Sequence, residues 1–181
     1  MTRTRLAVVA YPVLADGDRG WIESIRGLHD PQVGLIASHF TLVFPAEVEP
    51  EPLLAHTRRV CEISRPIHFV IRKTRAVREV SRLGGHVFLV PDDGHAEIVA
   101  LHQRLYDGGV CGPLREGQPF VPHITVAADN DFAQCLALEE KWNSETMAIE
   151  GTVDRVDVVA VSPDRVQSLA AYRLGVPGEQ V

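Results

Sequence analysis

An α+β fold, in which two helix-backed sheets face each other and each lends one histidine-bearing strand to a common cleft, is what the 181-residue sequence predicts. Three observations lead there. The tetrads His39-Phe40-Thr41-Leu42 and His123-Ile124-Thr125-Val126 share one pattern of histidine, apolar, threonine, apolar. The two copies stand 84 residues apart (39 to 123), close to half the chain, and no third His-x-Thr occurs among the 8 histidines. The order of strand and helix signals around each copy is the same, so the chain reads as one bilobal domain of two related halves, about 1–82 and 83–181, with two pseudo-symmetric antiparallel or mixed sheets.

The first half begins with an apolar run, Leu6 to Val13, that suits a buried strand. Asp16-Gly17-Asp18 offers capping groups, and Trp21, Ile22, Ile25 and Leu28 recur at helical spacing until His29-Asp30-Pro31, where proline ends the helix. His39 to Pro45 is the first motif strand. Glu47 to Ser64 carries two early prolines and the apolar set Leu53, Leu54, Val60, Cys61 and Ile63, which fits a second helix. Ile67 to Val77 alternates in part, as a half-exposed strand does.

After Gly84-Gly85 the series starts again. His86 to Val90 predicts a short strand, Pro91-Asp92-Asp93-Gly94 a turn and cap, and Ile98, Leu101 and Leu105 a helix closed by Gly108-Gly109. A Gly/Pro-rich loop from Gly112 to Pro119 leads into the second motif strand, Phe120 to Ala127. Asp129-Asn130-Asp131 caps a helix running to about Met147, and Val153–Val161 with Gln167–Leu174 forms a closing hairpin. Strand exchange between the halves stays open at this point.

Composition narrows the function. With 45% hydrophobic and 23% charged residues the chain is an ordinary globular one. Cys61, Cys111 and Cys135 are odd in number and lack C-x-x-C spacing, so neither a disulfide framework nor a zinc site is expected and a reducing cytoplasm fits. The basic start, Met1 to Arg5, resembles a signal-peptide n-region, but the apolar run after it stops at Tyr11-Pro12. No run reaches transmembrane length. The net charge of −6 argues against a protein that coats nucleic acid, although eight basic residues between Arg58 and Arg82 (Arg58, Arg59, Arg65, Arg72, Lys73, Arg75, Arg78, Arg82) face only Glu62 and Glu79. That strip reads either as a phosphate-binding surface or as a solvated helix face and a charge-guarded edge strand.

On a β-strand, residues two apart share a face, so His39 with Thr41 and His123 with Thr125 look one way while their apolar neighbours look to the core. Two imidazoles on one cleft suit phosphoryl chemistry, because one proton must leave a nucleophile and another must reach a departing oxygen. The adjacent threonine hydroxyls would donate to non-bridging phosphate oxygens. The competing structural reading is a pair of satisfied strand histidines beside threonines chosen for β-propensity.

Ser38-His39-Phe40-Thr41-Leu42-Val43-Phe44-Pro45 and Phe120-Val121-Pro122-His123-Ile124-Thr125-Val126 resemble the motifs of the two-histidine (2H) phosphoesterase superfamily, which includes 2′-5′ RNA ligase-like proteins and cyclic nucleotide phosphodiesterases. The resemblance implies a bilobal α+β fold with a water-filled cleft and metal-independent hydrolysis, or reversible ligation, of 2′,5′ or 2′,3′-cyclic phosphodiesters. It makes His39 and His123 the acid and base, Thr41 and Thr125 the phosphate ligands, and calls for no cofactor. Ser38 stands where many members have proline, and Ala127-Ala128 where many have arginine.

Among the other residues, Tyr11, Phe44 and Phe120 lie on or near the predicted cleft strands and could stack a base, with core packing as the alternative. His95 and His102 are expected on a solvated helix face, and His68 and His86 as strand residues without chemistry. The expected partner is a nucleotide or short RNA terminus, with no stable long nucleic-acid complex, no membrane and a monomeric chain. A nucleotide-binding module without turnover, and a metallohydrolase, are the rival functions.

Overall fold

The structure, a computed structural model, describes residues 5–79, 83–112 and 119–175. Its elements run β1 (Arg5–Ala10), β2 (Val13–Leu14), α1 (Asp16–His29), β3 (Phe40–Ala46), α2 (Pro50–Ile63), β4 (Ile67–Arg78), β5 (Gly85–Asp93), α3 (His95–Tyr106), β6 (Ile124–Asp129), α4 (Phe132–Asn143), β7 (Ile149–Val153), β8 (Arg155–Ser162) and β9 (Arg165–Arg173). The α+β class holds, and among the described residues every strand pairing is antiparallel. No helix among the described residues is long and apolar enough to cross a membrane.

The strand order is β3-β1-β8-β9 in one sheet and β6-β5-β4-β7-β2 in the other. The two sheets are built alike. Each has a motif strand at its edge, then the strand that opens the same half of the chain, then a strand contributed by the other half. β8 pairs with β1 and β4 pairs with β5, so strands are exchanged across the midpoint of the sequence. One face of each sheet is covered by helices around a continuous core that includes Val8, Phe40, Leu42, Phe69, Leu89, Ile124 and Val158, all at most 1% exposed. Phe40 and Phe69 meet edge to face at 5.2 Å and join the two sheets.

Several boundaries differ from the sequence reading. Both motif strands begin one residue after their histidine, and the second starts at Ile124 rather than Phe120, because Pro119 and Pro122 have no N–H for a ladder. β5 runs on through Pro91-Asp92-Asp93, where a turn was expected. Its pairing with β6 stops at Leu89, so on that side Pro91 lies at an open edge where the missing donor costs nothing. Gly94, at φ 78°, then turns the chain into α3, and a Cβ there would collide with the His68 carbonyl. β1 ends at Ala10, and the expected single strand to Val13 resumes as the separate β2.

α1 has Ala15 at its N-cap position and so no side-chain cap; Asp16 and Asp18 instead occupy its first turn, where the helix dipole favours them. α4 is capped by Asp131, whose carboxylate accepts from the Ala133 amide, but it stops at Asn143 rather than Met147. Asn143 is diverted to β4: its Oδ1 accepts from the Thr74 amide at 2.8 Å and its Nδ2 donates to the Thr74 carbonyl at 3.0 Å, beside the register shift between Ile71 and Thr74. The five residues of β7 were not foreseen. Leu28 and Ile63, expected on buried helix faces, are 79% and 76% exposed. His102, expected in solvent, is buried and bonded to the Leu42 carbonyl at 2.6 Å.

Candidate active site

His39 and His123 are each the residue before an edge strand, and each is oriented by the same local device. The Nδ1 of His39 lies 2.8 Å from the Ala37 carbonyl and that of His123 2.7 Å from the Val121 carbonyl, both two residues back. A carbonyl can only accept, so each ring carries its proton on Nδ1 and leaves Nε2 as its free nitrogen. In the strands that follow, Phe40 and Leu42, and Ile124 and Val126, are wholly buried while Thr41 and Thr125 are half-buried, as the alternation requires.

The histidines lie close enough to sense one another. The His123 imidazole is pushed down to about 4, chiefly by burial, with the Val121 carbonyl opposing the shift and the charges of His39 and His86 adding to it. Burial also holds His39 below the ordinary histidine value, with the nearby Arg26 guanidinium adding to the effect and the Ala37 carbonyl, Asp30 and Glu23 opposing it.

The backbone that orients His39 is locked by an ion cluster on α1. Arg26, 1% exposed, donates from Nε to Asp30 at 2.9 Å, from Nη1 to Glu23 at 2.9 and 3.1 Å, and from Nη2 to the Ile36 carbonyl at 2.7 Å. Burial opposes ionisation of Glu23, but the Ser38 amide, donating at 2.8 Å, and Arg26 outweigh it and keep the carboxyl below its usual range. Residues 36 and 38 are thereby pinned on either side of the carbonyl that holds His39. The spacing of Glu23, Arg26 and Asp30 at i, i+3 and i+7 on one helix face was the available signal for this cluster.

The second histidine rests on an aromatic floor. Its ring stacks on Phe88 at 3.7 Å, and Phe88 in turn stacks on His86 at 5.8 Å. His86, read as a plain strand residue, thus belongs to the surroundings of His123. Tyr11 lies beside His39, with ring centroids 6.2 Å apart. Burial raises its hydroxyl, and Asp157, held by Arg155 at 3.0 Å and Ser168 at 2.9 Å, raises it further. Phe44 and Phe120 meet edge to face at 6.4 Å on a different neighbour: Phe120 lies flat on His102 of α3 at 3.7 Å, and the Phe44 amide donates to the Tyr106 hydroxyl at 3.2 Å. The structure therefore brings Tyr11 to a histidine and places Phe44 and Phe120 against α3. The three cysteines are buried, with the Cys61 thiol pushed by burial up to about 12 and Cys111 to about 11, outside any nucleophilic range near neutral pH.

Known proteins share this arrangement of strands and helices. E. coli LigT, solved in complex with 3′-AMP, superposes with a TM-score of 0.60 at 21% identity over 96% of this chain and 99% of its own. TT0787 of Thermus thermophilus does so with a TM-score of 0.60 at 17% identity, over 94% and 98%. In sequence, a presumed phosphoesterase of Oceanobacillus iheyensis is 25% identical over 139 residues, covering 75% of this chain and 78% of its own. One from Geobacillus kaustophilus is 28% identical over 157 residues, covering 83% and 84%. The model of the 2′-5′ RNA ligase superfamily matches residues 14–165, a span that contains both His-x-Thr motifs, and the chain belongs to that family.

Proposed function

We propose that the protein is a metal-independent phosphodiesterase that opens 2′,3′-cyclic or 2′,5′ phosphodiester bonds of nucleotides or short RNA ends. The observation that carries this reading is the matched pair of imidazoles, each anchored through Nδ1 to the carbonyl two residues before it and neither with a hydrogen-bond partner on Nε2 among the described residues. In this reading His123, which stays neutral to lower pH, is the general base. Its Nε2 takes a proton from water as the water oxygen attacks phosphorus. The bond from phosphorus to the ribose oxygen breaks, and that oxygen takes the Nε2 proton of His39, which enters the step as the doubly protonated imidazolium. Thr41 and Thr125 donate to the non-bridging oxygens, where charge builds up in the transition state. With a 5′-hydroxyl in place of water as the attacking group, the same two proton transfers join two ends.

Tyr11 serves as the substrate contact beside His39, while Phe44 and Phe120 hold the segment bearing the Val121 carbonyl against α3. A nucleotide as substrate is supported by LigT, whose crystal structures hold 3′-AMP, ATP or NADP+. The test is turnover of a 2′,3′-cyclic nucleotide by pure protein in excess chelator. Activity should persist, and His39→Ala and His123→Ala should each lower it by about 10²- to 10⁴-fold. Full activity in either variant refutes the assignment, and tight binding without turnover by the unaltered protein selects the binding-module reading.

A further inference from the structure

The basic strip between Arg58 and Arg82 is dispersed by the fold. Arg58 pairs with Glu62 along α2 at 3.0 Å, Arg72 pairs with Asp93 at 2.8 Å, and Lys73 lies 4.0 Å from Asp92. Arg78 covers the Phe132 ring at 4.3 Å, on the helix-backed side of its sheet. Arg82 lies outside the described residues. The edge-strand explanation also lapses for the four basic residues on β4, since that strand is interior, between β7 and β5.

Arg59 lies on α2 and Arg65 just before β4, whereas Arg75 lies within the sheet that carries the second motif. Thr74 on one side of it is 1% exposed and bound to Asn143 of α4, and Ala76 on the other packs on the core, so strand alternation turns Arg75 to the helix-free face. Register then carries it to the second motif. Arg75 is directly opposite Phe88, and Phe88 is directly opposite Thr125, so the three form one row across the sheet. Phe88 is also the ring on which His123 stacks. Two strand spacings put the Arg75 Cα about 10 Å from that of Thr125, a gap that a long side chain leaning across Phe88 can largely close. Arg75 is exposed, and among the described residues no carboxylate lies within ion-pair distance of it.

We propose that Arg75 binds a second phosphate of the substrate, one that does not react. This inference rests on the phosphodiester reading and deepens it. The scissile phosphate belongs between the histidines and threonines, so a guanidinium two strands away is placed for the neighbouring phosphate of a nucleotide, which its planar fork can hold by two parallel bonds. It also supplies, from an interior strand, a cation that Ala127-Ala128 does not provide next to the second motif. The favoured substrate is then a nucleoside cyclic phosphate or 2′,5′-linked end that bears a further phosphate, such as a 5′-phosphate, over the same compound without it.

The experiment compares kcat/KM for adenosine 2′,3′-cyclic phosphate and for its 5′-phosphorylated form in the unaltered enzyme, Arg75→Ala and Arg75→Lys. In parallel, calorimetry measures binding of unreactive adenosine 3′-monophosphate and adenosine 3′,5′-bisphosphate. A charge-assisted contact predicts a preference of about 10- to 100-fold for the 5′-phosphorylated compound in both assays. Arg75→Ala should bring that ratio to about one, and Arg75→Lys should leave part of it. A ratio unchanged by Arg75→Ala, including an equal fall on both substrates, overturns the proposal. Should no compound turn over, the phosphodiesterase reading fails alone, and the calorimetric ratio still decides the role of Arg75.

Discussion

Replacing His123 by asparagine tests the site without any assay of activity. The asparagine Nδ2 can take over the role of the imidazole Nδ1–H and donate to the Val121 carbonyl, while removing the titrating group. In the folded protein His123 titrates at about 4; in the unfolded chain it should titrate near the ordinary value of about 6.5. Between those limits the unfolded state binds more protons than the folded one, so stability rises with pH across the window, and the penalty is complete only below the folded value. At pH 5 the cost relative to pH 7 is about 2 kcal/mol for a fully enclosed ring; His123 is only half-buried, so about 1–2 kcal/mol is expected. Urea unfolding read from the edge-to-face pair Trp21–Trp142 gives the stability at both pH values. Loss of the stack on Phe88 will lower the variant's stability at every pH, so the quantity that matters is the difference between pH 7 and pH 5. That difference should shrink by about 1–2 kcal/mol in His123→Asn. An unchanged difference would show that His123 is not held neutral by the fold.

Because both imidazoles lie below the ordinary histidine value, kcat/KM should follow a bell with its acid limb near pH 4, where His123 must lose its proton, and its alkaline limb below about 6.5, where His39 must keep its own; a rate still rising at pH 8 would reverse this assignment. Arg26→Leu should destabilise the protein by about 3–5 kcal/mol in urea unfolding, since Asp30 and Glu23 lose their shared cation, and a further Asp30→Leu should recover part of the loss; a cost below about 1 kcal/mol would refute the locking role. Affinity for a short RNA end should fall with salt at a log–log slope no steeper than about −1.4, as for two neutralised phosphates, whereas a slope several times larger would reveal a long RNA track. Gly94→Ala should cost more than about 1 kcal/mol, because both the left-handed φ of 78° and the His68 carbonyl exclude a Cβ; a neutral effect would mean that the β5–α3 turn rearranges freely.

Much of this protein could be read from local patterns. Two His-x-Thr tetrads in apolar runs announced the motif strands and the burial of their apolar residues, because side-chain alternation is a property of a single strand and needs no partner. The four helices were visible through their apolar spacing, with errors at Leu28, Ile63 and His102, whose burial depends on what lies above the helix rather than on the helix. Short β7 escaped because five residues around a glycine carry too little pattern, and Gly151 is there to accommodate the Phe69 ring. What local pattern could not reach was everything set by pairing register: β8 beside β1 and β4 beside β5, Phe88 beneath His123, Asp157 near Tyr11, and Arg75 in line with Thr125. Register is decided by which buried faces fit together across strands distant in sequence, so the motif histidines were legible as residues, while their neighbours became visible only when the sheets were assembled.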